Sequence, residues 1–444
     1  MNFGLKSLLV TMILGMSVLC VAQNTIYVPD LKKANALFDE SDFNRALTAY
    51  LEYAKTRPDS LVHPEVLYRI AYCIFLEGRN KMDAKPYLER YIKLSENRFE
   101  AFFMLANFYH QEGKYDQALE FYKKFSDFVQ QDETEDKNIR ADVIEKVNRE
   151  IAGCEFAKAQ IAGFSNIVVK NAGGNVNTIY SEYAPVIATN DSILFFTRRS
   201  PENAGKKLAA DNDYFEDIYS SQVADTSFTK AGPLSSNFNT KEHEGALQLS
   251  SDNKKLYFYS KNKIMYSEFY SGVFLTPKEI EKKNDIHNHA ANEPNVYISP
   301  DGNTMLFSSD RQGGFGGLDL YKSVKKAGGI WSNPENLGPQ VNTKEDDDYP
   351  FFDFADSVLY FSSKGRVGMG GYDIFMSSFK DAKWSEAKNM GFPINSPSDD
   401  ITFVITPDQK HGYFASDRMG GFGMMDLYKV SGIMNPPIPP KDGK

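Results

Sequence analysis

From residue 177 onward one element occurs five times, and it limits the folds open to this chain. It consists of an asparagine, an acid five residues later, an apolar strand and a turn. The copies read "NTIYSEYAPVIATND", "NTKEHEGALQLSSDN", "NHAANEPNVYISPDG", "NTKEDDDYPFFDFAD" and "NSPSDDITFVITPDQ". The asparagines are Asn177, Asn239, Asn288, Asn342 and Asn395, and the acids are Glu182, Glu244, Glu293, Asp347 and Asp400. Fourteen residues beyond each acid stands a phenylalanine of a second strand: Phe196, Phe258, Phe307, Phe361 and Phe414. Successive asparagines are 62, 49, 54 and 53 residues apart. Each copy continues through an insertion or glycine loop to a third strand, "DIYSSQ", "IMYSEF", "LDLYKS", "YDIFMS" or "MDLYKV". Short apolar runs punctuated by Gly, Asn and Ser predict strands, not helices. Four strands in a unit of about fifty residues is the arithmetic of a β-propeller. Residues 162–432 are therefore expected to form five blades. The last copy lacks a fourth strand, and Ile167–Lys170 is expected to supply it, closing the ring without a free edge.

The glycine loops raise a competing possibility. "SSDRQGGFGGLDLYK" (Ser308–Lys322) has the look of a phosphate cradle. Such a loop needs a helix after it, because the helix N-terminus supplies the N–H donors. Here "LDLYKSV" follows, with the alternation of a strand. The stretch also recurs as "SSKGRVGMGGYDIFMSS" and "ASDRMGGFGMMDLYKV". A structural turn repeats with its blade, whereas a nucleotide site is built once. The glycines are expected to let a surface loop take positive φ, and no cofactor is expected.

The first 161 residues have a different period. "LKKANALFDESDFNRALTAYLEYAKTRPD", "VLYRIAYCIFLEGRNKMDAKPYLERYIKL" and "AFFMLANFYHQEGKYDQALEFYKKFSDF" each carry two apolar stripes at helical spacing around a polar turn. Ala34, Ala71 and Ala106 recur in the first helices. Ala46, Ala84 and Ala118 recur in the second, followed four residues later by Tyr50, Leu88 and Tyr122. "VIEKVNREIAGCEFAKAQI" is expected to cap the last pair.

Residues 1–22 read as a secretory signal peptide: Lys6, an apolar run from Leu8 to Cys20, and Ala22 before polar residues. This implies export to the periplasm, with residues 23–161 as the helical domain and 433–444 as a Pro-rich tail. Cys20 raises a lipoprotein alternative at the outer membrane, although Leu19 and Ser17 are poor matches to a lipobox. Without lipidation, membrane association is expected only through partners. The net charge of -9 argues against nucleic acid as a partner. Cys73 and Cys154 could form a disulfide or remain two buried thiols.

The helical segments resemble the tetratricopeptide repeat in their small-residue positions, the "GKYDQAL" turn (Gly113–Leu119) and Pro58 at a repeat end. "YISPDGNTMLFSSDR" resembles a WD-like bacterial propeller repeat, with a Ser-Pro-Asp-Gly turn between its first two strands. The expected fold class is thus multidomain, α then β: tetratricopeptide-type helical repeats followed by a five-bladed β-propeller. The first resemblance implies a concave partner-binding groove lined by Asn35, Phe38, Tyr68, Tyr72, Phe103, Asn107 and His110. The order of leader, helical repeats and propeller resembles envelope proteins of the type IX secretion and gliding apparatus. Those relatives continue into carboxypeptidase-regulatory-like and OmpA-like domains, which do not follow "PPIPPKDGK" here. The resemblance implies a non-enzymatic scaffold for envelope proteins. A propeller that senses a cell-wall glycan or peptide is the competing class.

No catalytic or metal residue is expected. "DNDYFED" (Asp211–Asp217) has calcium-loop acid spacing but lacks the turn glycine and the closing glutamate. His287 and His289 are two ligands without a third. His243 precedes a repeated acid and is read as structural. Asp310-Arg311 and Asp417-Arg418 are expected to form ion pairs and hydrogen bonds within their blades, and the repeated acids are alternatively placed at the rim of the central channel. No GxSxG or HExxH motif is present.

Overall fold

The computed structural model describes residues 31–432 apart from 59–60, 78–80, 96–97, 132–136, 164, 189, 207, 210–212, 225–226, 262, 272 and 281–290. The expected leader, Cys20, the Pro-rich tail, Asn288, His287, His289, Asp211 and Asn212 therefore lie outside the described residues. The chain divides into two compact units between Glu155 and Phe156. The fold class is the expected one: helical repeats, then a five-bladed propeller.

The helical unit contains, among the described residues, α1 (Lys32–Asp39), α2 (Phe43–Lys55), α3 (Pro64–Glu77), α4 (Lys85–Leu94), α5 (Glu100–Gln111), α6 (Tyr115–Gln131) and α7 (Lys137–Ala162), the last crossing the division. Asp42 caps α2 by accepting the Arg45 N–H at 3.3 Å. Gly113, at φ 68°, turns the chain between α5 and α6, a conformation that strains a side chain. The six recurring alanines and Tyr50, Leu88 and Tyr122 are all buried. Small residues let the paired helices approach, and the large ones fill the next gap. Ala84 departs from expectation by ending a 3-10 turn, Lys81–Ala84, and not lying within the second helix. Pro86 explains this. It has no N–H to donate and its ring would clash with a carbonyl one turn back, so it sits in the first turn of α4. Cys73 and Cys154 are buried thiols.

In the propeller, the inner strands are Ser181–Ile187, Glu244–Leu249, Val296–Ile298, Asp347–Asp353 and Asp400–Ile405. The second strands are Ile193–Arg199, Lys255–Ser260, Thr304–Ser309, Val358–Ser363 and His411–Ser416. The third are Glu216–Ala224, Lys263–Tyr270, Asp319–Val324, Asp373–Lys380 and Asp426–Ser431. Each blade pairs these antiparallel in order. Val168–Asn171 adds the fourth strand of the last blade, with Val168 opposite Ser431 and Asn171 opposite Tyr428. The ring closes as expected, with the strand one residue further along than Ile167–Lys170.

The second strands are apolar at consecutive positions because both faces of each blade are covered. Successive side chains point to opposite faces. Thus Phe196 packs toward the last blade, with Tyr413 and Leu427, while Phe195 packs toward the second, with Leu256 and Phe258. Tyr257 and Phe258 divide in the same way, toward blades three and two's other neighbour respectively. Five such cores, one at each blade junction, make up the interior of the ring. Four inner strands also carry a register shift, at Tyr183/Val186, Ala246/Gln248, Asp348/Phe351 and Ile401/Val404.

Candidate interaction surfaces

The repeated polar residues come first, because they decide what is left for a partner. Four of the repeat asparagines bridge backward onto the third strand of the preceding blade. The Oδ1 atoms of Asn177, Asn239, Asn342 and Asn395 accept the N–H of Leu427, Ile218, Leu320 and Ile374, each at 2.8 Å. Their Nδ2 groups donate to the carbonyl of those same residues at 2.9 to 3.0 Å. Each side chain thus replaces a strand neighbour where the chain passes between blades. The acids hold the turn that follows. Glu182, Glu244, Asp347 and Asp400 accept the backbone N–H and side-chain hydroxyl of Thr178, Thr240, Thr343 and Ser396. These acids are buried, not arranged as a channel rim.

Arginines complete this arrangement in four blades. Arg198, Arg311, Arg366 and Arg418 pair with Glu182, Glu293, Asp347 and Asp400 at 2.8, 2.5, 3.1 and 2.5 Å. Arg418 lies 4.9 Å from the ring centres of both Phe414 and Tyr428, and Arg311 sits the same way over Phe307 and Tyr321. The ion pairs and hydrogen bonds expected of the Asp-Arg neighbours do lie within their blades, but each residue takes its own target. Asp310 and Asp417 accept the backbone N–H of Asn292 and Asp399 at 2.7 and 2.8 Å, while their neighbouring arginines turn inward. Burial pushes the Asp347 carboxyl up to about 6, against the pull of Ser363 and Arg366.

The glycine loops cradle a carboxylate of the protein itself. Phe315 and Phe422 donate their N–H to Asp319 and Asp426 at 2.6 and 2.5 Å, and Met369 donates to Asp373. Only Gly313 and Gly420 take positive φ, at 91° and 87°. Several others are required by close approach. A Cβ on Gly316, Gly370 or Gly423 would run into backbone of the next blade, at Lys344, Ser398 or Thr178. The sequence reading missed these aspartates, although an Asp heads each third strand that follows a glycine loop. It also missed Asn171, Asn336 and Asn389, which stand six residues before the repeat asparagines and donate to Asp426, Asp319 and Asp373.

These loops carry exposed apolar residues on a fixed backbone. An inner strand begins at the end where its second strand finishes, so the glycine loops and the asparagine turns share one end of the ring. At the closing junction Ile179 is 70%, Met419 61% and Phe422 52% exposed. Met424 joins them, its N–H donating to Tyr180 O at 3.0 Å. Phe315 and Val367 are exposed on the corresponding loops of blades three and four. Clusters of exposed apolar side chains of this kind mark contact surfaces.

The helical wall differs from its expectation. Tyr68, Tyr72, Phe103 and His110 are buried, and Asn35, Phe38 and Asn107 are half-buried. Phe38, Tyr68 and Tyr72 belong to one aromatic cluster with Phe43, Tyr50 and Tyr91. Phe103 packs on Phe125 and Tyr122, with ring centres 5.1 and 5.8 Å away. Tyr50 and Tyr122 donate their hydroxyls to Asn35 and Asn107 at 2.8 and 2.6 Å. The buried four are therefore interior packing residues and not a free wall. The reason is that their rings interlock with the second helices of their own and neighbouring pairs.

His243 lies in a polar cluster at the first two blades. Its Nδ1 is 3.1 Å from Glu216, which also meets Arg199 at 3.2 Å and the Tyr183 hydroxyl. Although burial opposes it, contacts from His243, Arg199 and Tyr183 hold the Glu216 carboxyl down at about 2. Asp213 pairs with Arg199 at 3.4 Å. Among the described residues no group of three His, Cys, Asp or Glu is placed to hold a metal ion. No helix among them is long and apolar enough to cross a membrane.

The tetratricopeptide repeat family matches residues 73–132. No curated protein matches the chain. Among solved structures, the α-L-arabinofuranosidase from Lactobacillus brevis is similar at 12% identity and TM-score 0.37, over 59% of this chain and 92% of that one. Hydrazine synthase from Kuenenia stuttgartiensis is similar at 12% identity and TM-score 0.29, over 57% of this chain and 59% of that one. Scores this low leave the activity of the chain to be read from its own residues.

Proposed function

We propose that the protein is a non-enzymatic scaffold of the bacterial periplasm that binds other envelope proteins. A helical-repeat unit and a propeller both suit protein–protein contact. The observation that carries the reading is the loop end of the ring. There the repeated Asn, acid, Arg and Asp side chains are engaged in holding loops, and Phe315, Phe422, Met419, Met424 and Ile179 are left facing outward. Aromatic and methionine side chains on a backbone already fixed can bury area at low entropic cost. The leader at residues 1–22 supports export, and the domain order, similar to the PorE component, supports a place in type IX secretion or gliding machinery. The helical unit then contributes through its half-buried Asn35, Phe38 and Asn107 and its outer faces.

The test is capture from envelope extract by the full chain and by a Phe315→Ser/Phe422→Ser variant. The scaffold reading expects protein partners retained by the parent and lost by the variant, with unchanged melting. Capture of glycan fragments instead, or full retention of partners by the variant, would count against it.

A further inference from the structure

The four aspartates Asp217, Asp319, Asp373 and Asp426 stand at the same place in four blades, at the start of the third strand. They are 2%, 0%, 1% and 1% exposed. In each, Oδ2 accepts the N–H of the preceding loop, from Ala204, Phe315, Met369 and Phe422. Among the described residues, Oδ1 of each finds no hydrogen-bond partner. An ionised carboxylate with one oxygen buried and unpaired is costly, and a cation beside it would be the usual remedy.

The groups facing them do not supply one. Asp217 faces Glu244 of the next blade. Asp373 faces Asp400, whose own partner is Arg418 at 2.5 Å. Asp426 faces Glu182, which is paired with Arg198 at 2.8 Å. Beside Asp319 the next inner strand begins, its Asp347 N–H donating to Leu318 O at 2.7 Å and its carboxylate paired with Arg366. Three of these junctions therefore hold two carboxylates and one arginine, and the Glu244 junction holds two carboxylates with Lys261, in place of an arginine, acting on Glu244.

We propose that Asp217, Asp319, Asp373 and Asp426 are proton-binding sites, neutral carboxylic acids in the closed ring, with the proton on the unpaired Oδ1. Burial raises all four carboxyls; it takes Asp217 up to about 6 and, with Asp400 adding to it, lifts Asp373 well above the aspartate range. An unfolded aspartate loses its proton near pH 3.9. Between that value and the raised one, the folded ring binds protons that the unfolded chain does not. The stability this gives is fully present below the unfolded value and is lost as pH rises through the folded one.

The experiment is an infrared titration of the full chain, following the stretch of protonated carboxyls, together with melting of parent and Asp373→Asn across about pH 5 to pH 8.5. Asparagine keeps an accepting oxygen and resembles the neutral acid. The expected result is a protonated-carboxyl band that survives above pH 5 and shrinks in the variant. The propeller transition of the parent should fall by several degrees as pH rises, and that of the variant should fall less. Loss of the whole band below about pH 5 would overturn the proposal, as would a variant whose melting is lowered equally at every pH. If that variant does not fold, Asp319→Asn and Asp426→Asn take its place. The band above about pH 5 should shrink in them, and a band unchanged in both would overturn the proposal, because Asp347 also titrates at about 6.

Discussion

The helical unit and the ring are both built from repeats, but different chemistry repeats in each. In the helices the recurring positions are apolar: Ala46 with Tyr50, Ala84 with Leu88, Ala118 with Tyr122. In the ring the recurring buried positions include Asn, Asp and Glu, with a buried or half-buried Arg beside the acid in four blades. A helix satisfies most of its backbone internally, so one pair can meet the next by shape alone. A blade ends in loops whose N–H and C=O groups lack partners, and side chains must supply them. Blade two sharpens the point. Its second and third strands are joined by two residues, Lys261 and residue 262, with no glycine loop. No aspartate heads its third strand, and its Glu244 is held by Thr240 and Ser260, with Lys261 and not an arginine as the cation acting on it. The Asp cradle and the stacked Arg therefore accompany the long loop, while the asparagine clamp accompanies the step between blades.

The largest expected effect breaks the ring. Deleting residues 162–176 removes Val168–Asn171 and the clamp's approach, exposing Asp426–Ser431 as an edge. The propeller should then aggregate or melt far below the parent, while the helical transition stays. A fragment starting at Thr178 that melts like one starting at Ala162 would show that the closing strand contributes nothing.

The next effect tests whether shape holds the helices. Tyr72→Ala and Phe103→Ala each remove a buried ring, and each should cost the helical unit about 3–5 kcal/mol in denaturant unfolding. A stable double variant that no longer captures partners would restore the free wall.

In the ring the matching test is polar. Arg418→Ala leaves Asp400 buried without its partner and should cost about 3–5 kcal/mol. Lys254→Ala, at an exposed lysine of the blade without an arginine, should leave the unfolding midpoint unchanged. Equal effects would mean that the stacked arginine adds nothing beyond a surface charge.

Much of this was legible in the sequence. The count of blades and the closing strand followed from Asn, acid and Phe at fixed spacing, because a ring forces each unit to solve the same packing problem. The pairing of Arg311 and Arg418 was not legible. Neighbours such as Asp310 and Arg311 look like partners on paper, but adjacent side chains in extended chain diverge, and each found a different target. The helical wall failed for another reason. Spacing gives the face on which Tyr72 and Phe103 lie, but burial depends on the rings that neighbouring helices bring to them. The burial of Asp319, Asp373 and Asp426 was not legible either, because the path of each glycine loop, and not local spacing, brings its N–H onto the carboxyl.

The smallest effect separates the two asparagines of one junction. Asn395 accepts from Ile374 N–H at 2.8 Å and donates to Ile374 O at 2.9 Å and to Asn389 Oδ1 at 2.8 Å. Removing its amide leaves two buried backbone groups without partners, each worth about 1–3 kcal/mol. Asn389 instead donates to Asp373 at 2.8 Å and accepts from Gly391 N–H at 2.7 Å, both in a half-buried setting. Blade one shows that this second asparagine is dispensable: Pro233 stands six residues before Asn239, and Asp217 manages with the Ala204 N–H. Asn395→Ala should therefore cost about 2–4 kcal/mol and Asn389→Ala about 1 kcal/mol, read from denaturant midpoints at constant slope. If Asn389→Ala proved the more damaging, the strand-three aspartate and not the backbone clamp would be what ties one blade to the next.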